Sequence, residues 1–128
     1  MKRDMDLIRS ILQRVESCED PHGLEHMPEI DGYSQGQVSY HIKLLHDAGL
    51  VEAQIVDEFD MAYPDFLSIN LTWTGQDFLD AAKDDTLWKK AKETVIKPGA
   101  SFTFDLLLAW LKTQVAIALG LPSVHGCS

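Results

Sequence analysis

The chain has 128 residues, 45% hydrophobic and 24% charged, a balance that suits one folded domain and is too apolar for a disordered chain. Twenty Asp and Glu against eleven Lys and Arg give a formal net charge of −9, which argues against a non-specific grip on nucleic acid through neutralised phosphates. The charged start Met1-Lys2-Arg3-Asp4 carries no leader-type apolar block, the apolar stretch 102–121 is broken by Asp105 and Lys112, and Cys18 and Cys127 fit neither a disulfide framework nor a zinc pattern; a cytoplasmic protein without membrane contact is expected.

Met5, Ile8, Ile11, Leu12 and Val15 recur at helical spacing and predict a first helix over residues 3–17. Pro21, Gly23, Pro28 and Gly32 then punctuate a loop with room for a very short strand near residues 29–31. Ser34 is a suitable N-cap for a second helix with the stripe Val38, Ile42 and Leu45, which Gly49 should end. Residues 50–56 and 66–73 read as the strands of a long hairpin. Thr74 is placed to cap a third helix buried through Phe78, Leu79, Ala81 and Ala82, and Asp84-Asp85 either continues it or starts another. After Pro98-Gly99, Ser101 or Thr103 opens a last helix to about Leu119, apolar over more than half its circumference.

The predicted fold is therefore mainly α with a small β-hairpin: a winged helix-turn-helix-like domain over 1–98, an apolar C-terminal helix over 99–121 and a tail over 122–128. Residues 38–51, VSYHIKLLHDAGLV, are similar to the recognition helix and the start of the wing of bacterial winged-helix repressors, and Leu71-Thr72-Trp73-Thr74-Gly75 resembles their exit from the wing. A closer resemblance runs through residues 1–9, Gly32-Tyr33-Ser34, Tyr40-His41-Ile42-Lys43-Leu44-Leu45, the same Leu71–Gly75 run, Asp77-Phe78-Leu79-Asp80-Ala81 and Asp84-Asp85-Thr86-Leu87-Trp88. In order and spacing these are similar to the phage and prophage family known as domain of unknown function 2513. The resemblance covers roughly residues 1–111. It implies a bacterial or phage origin and a winged-helix-like fold, and it brings no activity or site residues with it.

Two surfaces compete as the functional site. Ser34, Gln37, Ser39, Tyr40 and Lys43 lie off the apolar stripe of the second helix and are of the types that contact bases and phosphates in a major groove. Against a DNA partner, Lys43 is the one permanent cation there, and the wing offers Asp57, Glu58, Asp60 and Asp65 where phosphate contact calls for Lys or Arg. Carboxylates interleaved with Phe59, Met61, Tyr63 and Phe66 suit a protein partner instead, with Asp57, Glu58, Phe59, Asp60 and Tyr63 as its contacts, unless those aromatics belong to the core. The two readings are a transcriptional regulator or DNA-binding adaptor and an acidic inhibitor or DNA mimic directed at a host defence protein. Phe104, Leu107, Leu108, Trp110, Leu111 and Val115 are the expected homodimer contacts.

Lys2, Arg3, Arg9 and Arg14 near the first helix either pair with neighbouring acids or meet phosphate. No two of the five histidines have a further ligand at metal-site spacing, and His41 is expected at the edge of the core. With no nucleophile, P-loop or dinucleotide fingerprint, neither enzyme activity nor a metal or cofactor is expected.

Overall fold

The computed structural model describes residues 1–96 and 102–120. In chain order these form helix α1 (Met5–Glu16), helix α2 (Gln35–Asp47), strands β1 (Val51–Val56) and β2 (Asp65–Leu71), and helices α3 (Trp73–Ala81), α4 (Asp85–Thr94) and α5 (Phe104–Ala118). The protein is mainly α with one small antiparallel hairpin. It divides into two compact units, Met1–Leu79 and Asp80–Ser128.

In the first unit the apolar stripe of α1, Leu7, Ile8, Ile11, Leu12 and Val15, meets Val38, Ile42 and Leu45 of α2, and both helices pack on the hairpin, whose Val51, Phe66 and Ile69 are buried. Each end of α2 is closed by its own sequence. Ser34 and Gln37 form a capping box, and Gly49, at φ +78°, lets the chain turn back so that its N–H bonds the His46 carbonyl while the Leu50 N–H bonds the Leu45 carbonyl.

The hairpin is not a simple alternation. Val51 pairs with Leu71 and Ile55 with Phe66, but the register shifts between Glu52 and Gln54, leaving an extra residue on β2. Ser68 lies in that irregularity at φ +53°, a left-handed conformation. Strict alternation would send Phe66 and Ile69 to opposite faces; the inserted residue restores the parity, so both are buried. No strand forms at residues 29–31; the loop upstream of α2 instead makes one isolated bridge at Leu24. Leu24 and Ile69 exchange N–H to carbonyl bonds of 2.8 and 2.9 Å, making Leu24 an edge bridge on β2.

Strand β2 ends at Leu71, two residues earlier than expected, because Thr72 and not Thr74 caps α3. The Thr72 hydroxyl accepts the Gly75 N–H at 3.0 Å and donates to the Gly49 carbonyl at 2.6 Å, while the Thr72 N–H bonds the Leu50 carbonyl at 3.0 Å. Gly75 is forced by this closure: a Cβ there would lie 2.0 Å from the Leu50 carbonyl oxygen. Trp73, expected as the last residue of the strand, instead begins the helix and is 86% exposed.

In the second unit Asp84 caps a new helix, its carboxylate accepting the Leu87 N–H at 2.8 Å, so α4 restarts the chain direction after α3. Trp88, Ala91 and Val95 turn inward, and α5, capped by Thr103, packs on α4 with Leu107 and Leu111 fully buried. The second compact unit thus begins at Asp80, with its core shared by α4 and α5. Residues 97–101, with the alternative cap Ser101, and the tail 122–128 lie outside the described residues.

Candidate functional site

The hairpin tip is built by a tight turn in which the Met61 N–H bonds the Glu58 carbonyl at 3.1 Å and the Glu58 N–H points to the Met61 sulfur at 3.3 Å. Phe59 and Asp60 occupy the two central positions. Phe59 is 107% exposed: no part of the ring is covered. Asp57, Glu58 and Asp60 around it are exposed, and among the described residues no ion pair engages them. Tyr63 is 38% exposed and lines, with Met27, Gln35, Met61, Ala62 and Asp65, a shallow depression of about 390 Å³ beside the tip. Phe66 is the exception among the wing aromatics, since it is fully buried core.

The polar set on α2 is largely occupied within the protein. The Ser34 hydroxyl accepts the Gln37 N–H at 3.1 Å, and the Gln37 side-chain oxygen accepts the Ser34 N–H at 2.8 Å. Ser39, expected on the outer face, is fully buried and donates to the Pro64 carbonyl at 2.5 Å, tying α2 to the hairpin. Tyr40 is half-buried, its ring edge-on to His41 at 5.4 Å. Lys43 is exposed and lies 3.5 Å from Asp47 one turn on. Only Tyr40 and Lys43 of the five thus present side chains outward without a capping or buried role.

A second network, invisible in the sequence, fixes the start of α1. The Asp4 carboxylate caps the helix by accepting the Asp6 and Leu7 N–H groups, and its other oxygen accepts the Tyr33 hydroxyl at 2.8 Å. That hydrogen bond, with burial adding to it, pushes the Tyr33 hydroxyl up to about 12. The Asp4 N–H donates to His41 Nε2 at 2.8 Å, and Nδ1 of the same ring donates to the Gln37 carbonyl at 2.7 Å. His41, 2% exposed, is a satisfied structural histidine, its tautomer set by these two partners. Arg14 likewise bonds the Glu29 carbonyl at 3.1 Å. Among the described residues no group of three or more His, Cys, Asp or Glu is arranged to hold a metal ion, and no helix is long and apolar enough to cross a membrane.

Residues 2–101 match the family described as hypothetical protein (DUF2513). The chain belongs to that family. A protein of Haemophilus influenzae described as uncharacterized is 36% identical over 116 residues, 91% of this chain and 97% of its own length. No solved structure matches. The family match spans the capping box of α2, the hairpin and its tip, and stops before α5.

The six residues expected at a dimer contact divide between two roles. Leu107 and Leu111 are fully buried in their own unit, so they cannot meet a second copy, while Phe104, Leu108, Trp110 and Val115 are half-buried. The exposed large apolar residues of α5 are Leu106 at 55% and Ile117 at 60%. Neither belongs to the expected set.

Proposed function

We propose that this is a non-catalytic winged-helix protein acting as an adaptor or inhibitor, which binds another protein through its acidic hairpin tip. The carrying observation is Phe59, a fully exposed aromatic ring at the centre of a turn with Asp57, Glu58 and Asp60 around it. Leaving such a ring in water forgoes roughly 2 kcal/mol of burial, and an aromatic anchor rimmed by charge is the composition of an interface centre. The carboxylates select a basic partner surface and speed its approach. Host proteins that handle nucleic acid carry such surfaces, which makes an acidic mimic directed at one of them the specific form of this reading, in keeping with the phage and prophage character of the family resemblance.

The winged-helix part is supported by the order helix, bridge at Leu24, helix, hairpin, with Leu24 and β1 on opposite sides of β2. A DNA-reading use is less well supported. A helix-turn-helix joins its two helices by a 3–4-residue turn, whereas residues 17–34 separate α1 from α2 and contain no helix. The second reading, a transcriptional regulator or DNA-binding adaptor, rests on Tyr40 and Lys43.

The test is binding of the full chain to a purified partner first captured from host lysate. Phe59→Ala should weaken it by about 10- to 100-fold, as loss of a central aromatic anchor does. Asp57→Asn with Glu58→Gln and Asp60→Asn should slow association and flatten its salt dependence. Partner affinity indifferent to both variants would sink the proposal. So would selection of a genomic DNA fragment whose binding falls steeply with salt and is lost in Lys43→Ala.

A further inference from the structure

The apolar surface left open on α5 has a definite pattern. Leu106, Trp110, Thr113 and Ile117 follow at intervals of four, three and four residues. At about 100° per residue they fall within roughly 60° of arc on one side of the helix, about a third of a turn round from the fully buried Leu107 and Leu111. Alternating three- and four-residue intervals are the spacing of a two-helix seam. Leu106 and Ile117, its ends, are 55% and 60% exposed, while Trp110 and Thr113 are half-buried.

The interval pattern reads the same in both directions. Two copies of α5 laid antiparallel about the point midway between Trp110 and Thr113 place Leu106 of one beside Ile117 of the other. The large Trp110 then falls against the small Thr113, twice, as an isologous two-fold contact requires. Charge points to the same occupant. The chain carries −9, yet α5 holds only Asp105 and Lys112, one of each sign and neither on the seam. Nineteen of the twenty carboxylates lie elsewhere, so a like-charged second copy meets least repulsion at this helix, where nothing of either sign is opposed to itself.

We infer that α5 is the homodimer interface and that it pairs antiparallel through Leu106, Trp110, Thr113 and Ile117. Such a dimer carries two acidic hairpin tips, and its formation does not depend on what those tips bind.

The experiment is light scattering on the eluted full chain over micromolar to hundred-micromolar concentrations. Wild type should give twice the 14.4 kDa of one chain. Leu106→Lys and Ile117→Glu, each alone, should halve the mass while the circular dichroism spectrum stays that of wild type, both sites being exposed, and melting should lose the concentration dependence that dimerisation gives wild type. Combined in one chain, the two substitutions set Lys against Glu twice in the antiparallel pair and should restore the dimer, whereas parallel pairing would oppose like charges and leave a monomer. A monomeric wild type at every concentration, single variants that stay dimeric, or a double variant that stays monomeric would each overturn the inference.

Discussion

The closure at the base of the hairpin can be tested by one methyl group. In Gly75→Ala the new Cβ would lie 2.0 Å from the Leu50 carbonyl oxygen and 3.0 Å from its carbon, well inside the roughly 3.5 Å at which heavy atoms attract. Both obstacles are backbone, so no rotamer relieves the overlap. Overpacking of this kind costs about 1–3 kcal/mol. Moving the Leu50 carbonyl also strains its bond from the Thr72 N–H, worth about 1 kcal/mol. Against this stands the helix preference of Ala over Gly, at most about 1 kcal/mol and less in a first turn. The net is a loss of about 2–3 kcal/mol, or roughly 10–20 °C in melting temperature for a unit of this size. Thermal and urea melts followed by circular dichroism measure it. Gly49→Ala is the internal standard: nothing lies within 4 Å of its Cβ, but its φ of +78° carries a penalty of about 1 kcal/mol. Gly75→Ala melting near wild type, or above Gly49→Ala, would refute the steric reasoning.

Other consequences of the structure are open to the same measurements. The Tyr33 hydroxyl is raised above its ordinary 10.0, so its bond to Asp4 contributes fully below pH 10 and is lost as pH rises through about 12; urea midpoints of Tyr33→Phe should therefore lie below wild type at neutral pH and converge with it across that alkaline window, and a constant gap would contradict the assignment. Ser68→Gly removes a left-handed serine from the bulge and should stabilise by up to about 1 kcal/mol, with Ser68→Val moving the other way. Ser39→Ala leaves the Pro64 carbonyl without its hydroxyl donor and should cost about 1 kcal/mol in the melt; altered partner binding at unchanged stability would instead return Ser39 to a recognition role.

How much of this was legible varies residue by residue, for physical reasons. Helix α2 was readable at both ends because its signals are local: a Ser three residues before a Gln, and a Gly where only a positive φ fits. The start of α3 was not, since Thr72 and Thr74 are equally good caps and the choice is made by Gly49 and Leu50, more than twenty residues away. The β2 boundary failed with it, and the bulge within β2 is hidden as well, because it sits on a serine, a residue that does not advertise a left-handed backbone. Ser39 looked solvent-facing because its partner, Pro64, is distant in sequence. For the tip, the exposed set Asp57 to Asp60 was visible from composition, but the separation of Phe59 from the buried Phe66 required the register. In α5 the abundance of apolar residues conceals which side the protein's own core takes; only burial separates Leu107 and Leu111 from Leu106 and Ile117.

The knot of bonds at Gly49, Leu50 and Thr72 also insulates the two ends of the hairpin from each other. Both strands are fastened at the base of the hairpin, and the buried Phe66 and Ile69 lie beyond the tip, so residues 57–60 contribute nothing to the core. The tip is thereby a cassette: residues 57–60 can be lengthened, recharged or replaced by a foreign recognition loop while the remainder melts as before. A scaffold organised in this way is suited to changing its partner without relearning how to fold.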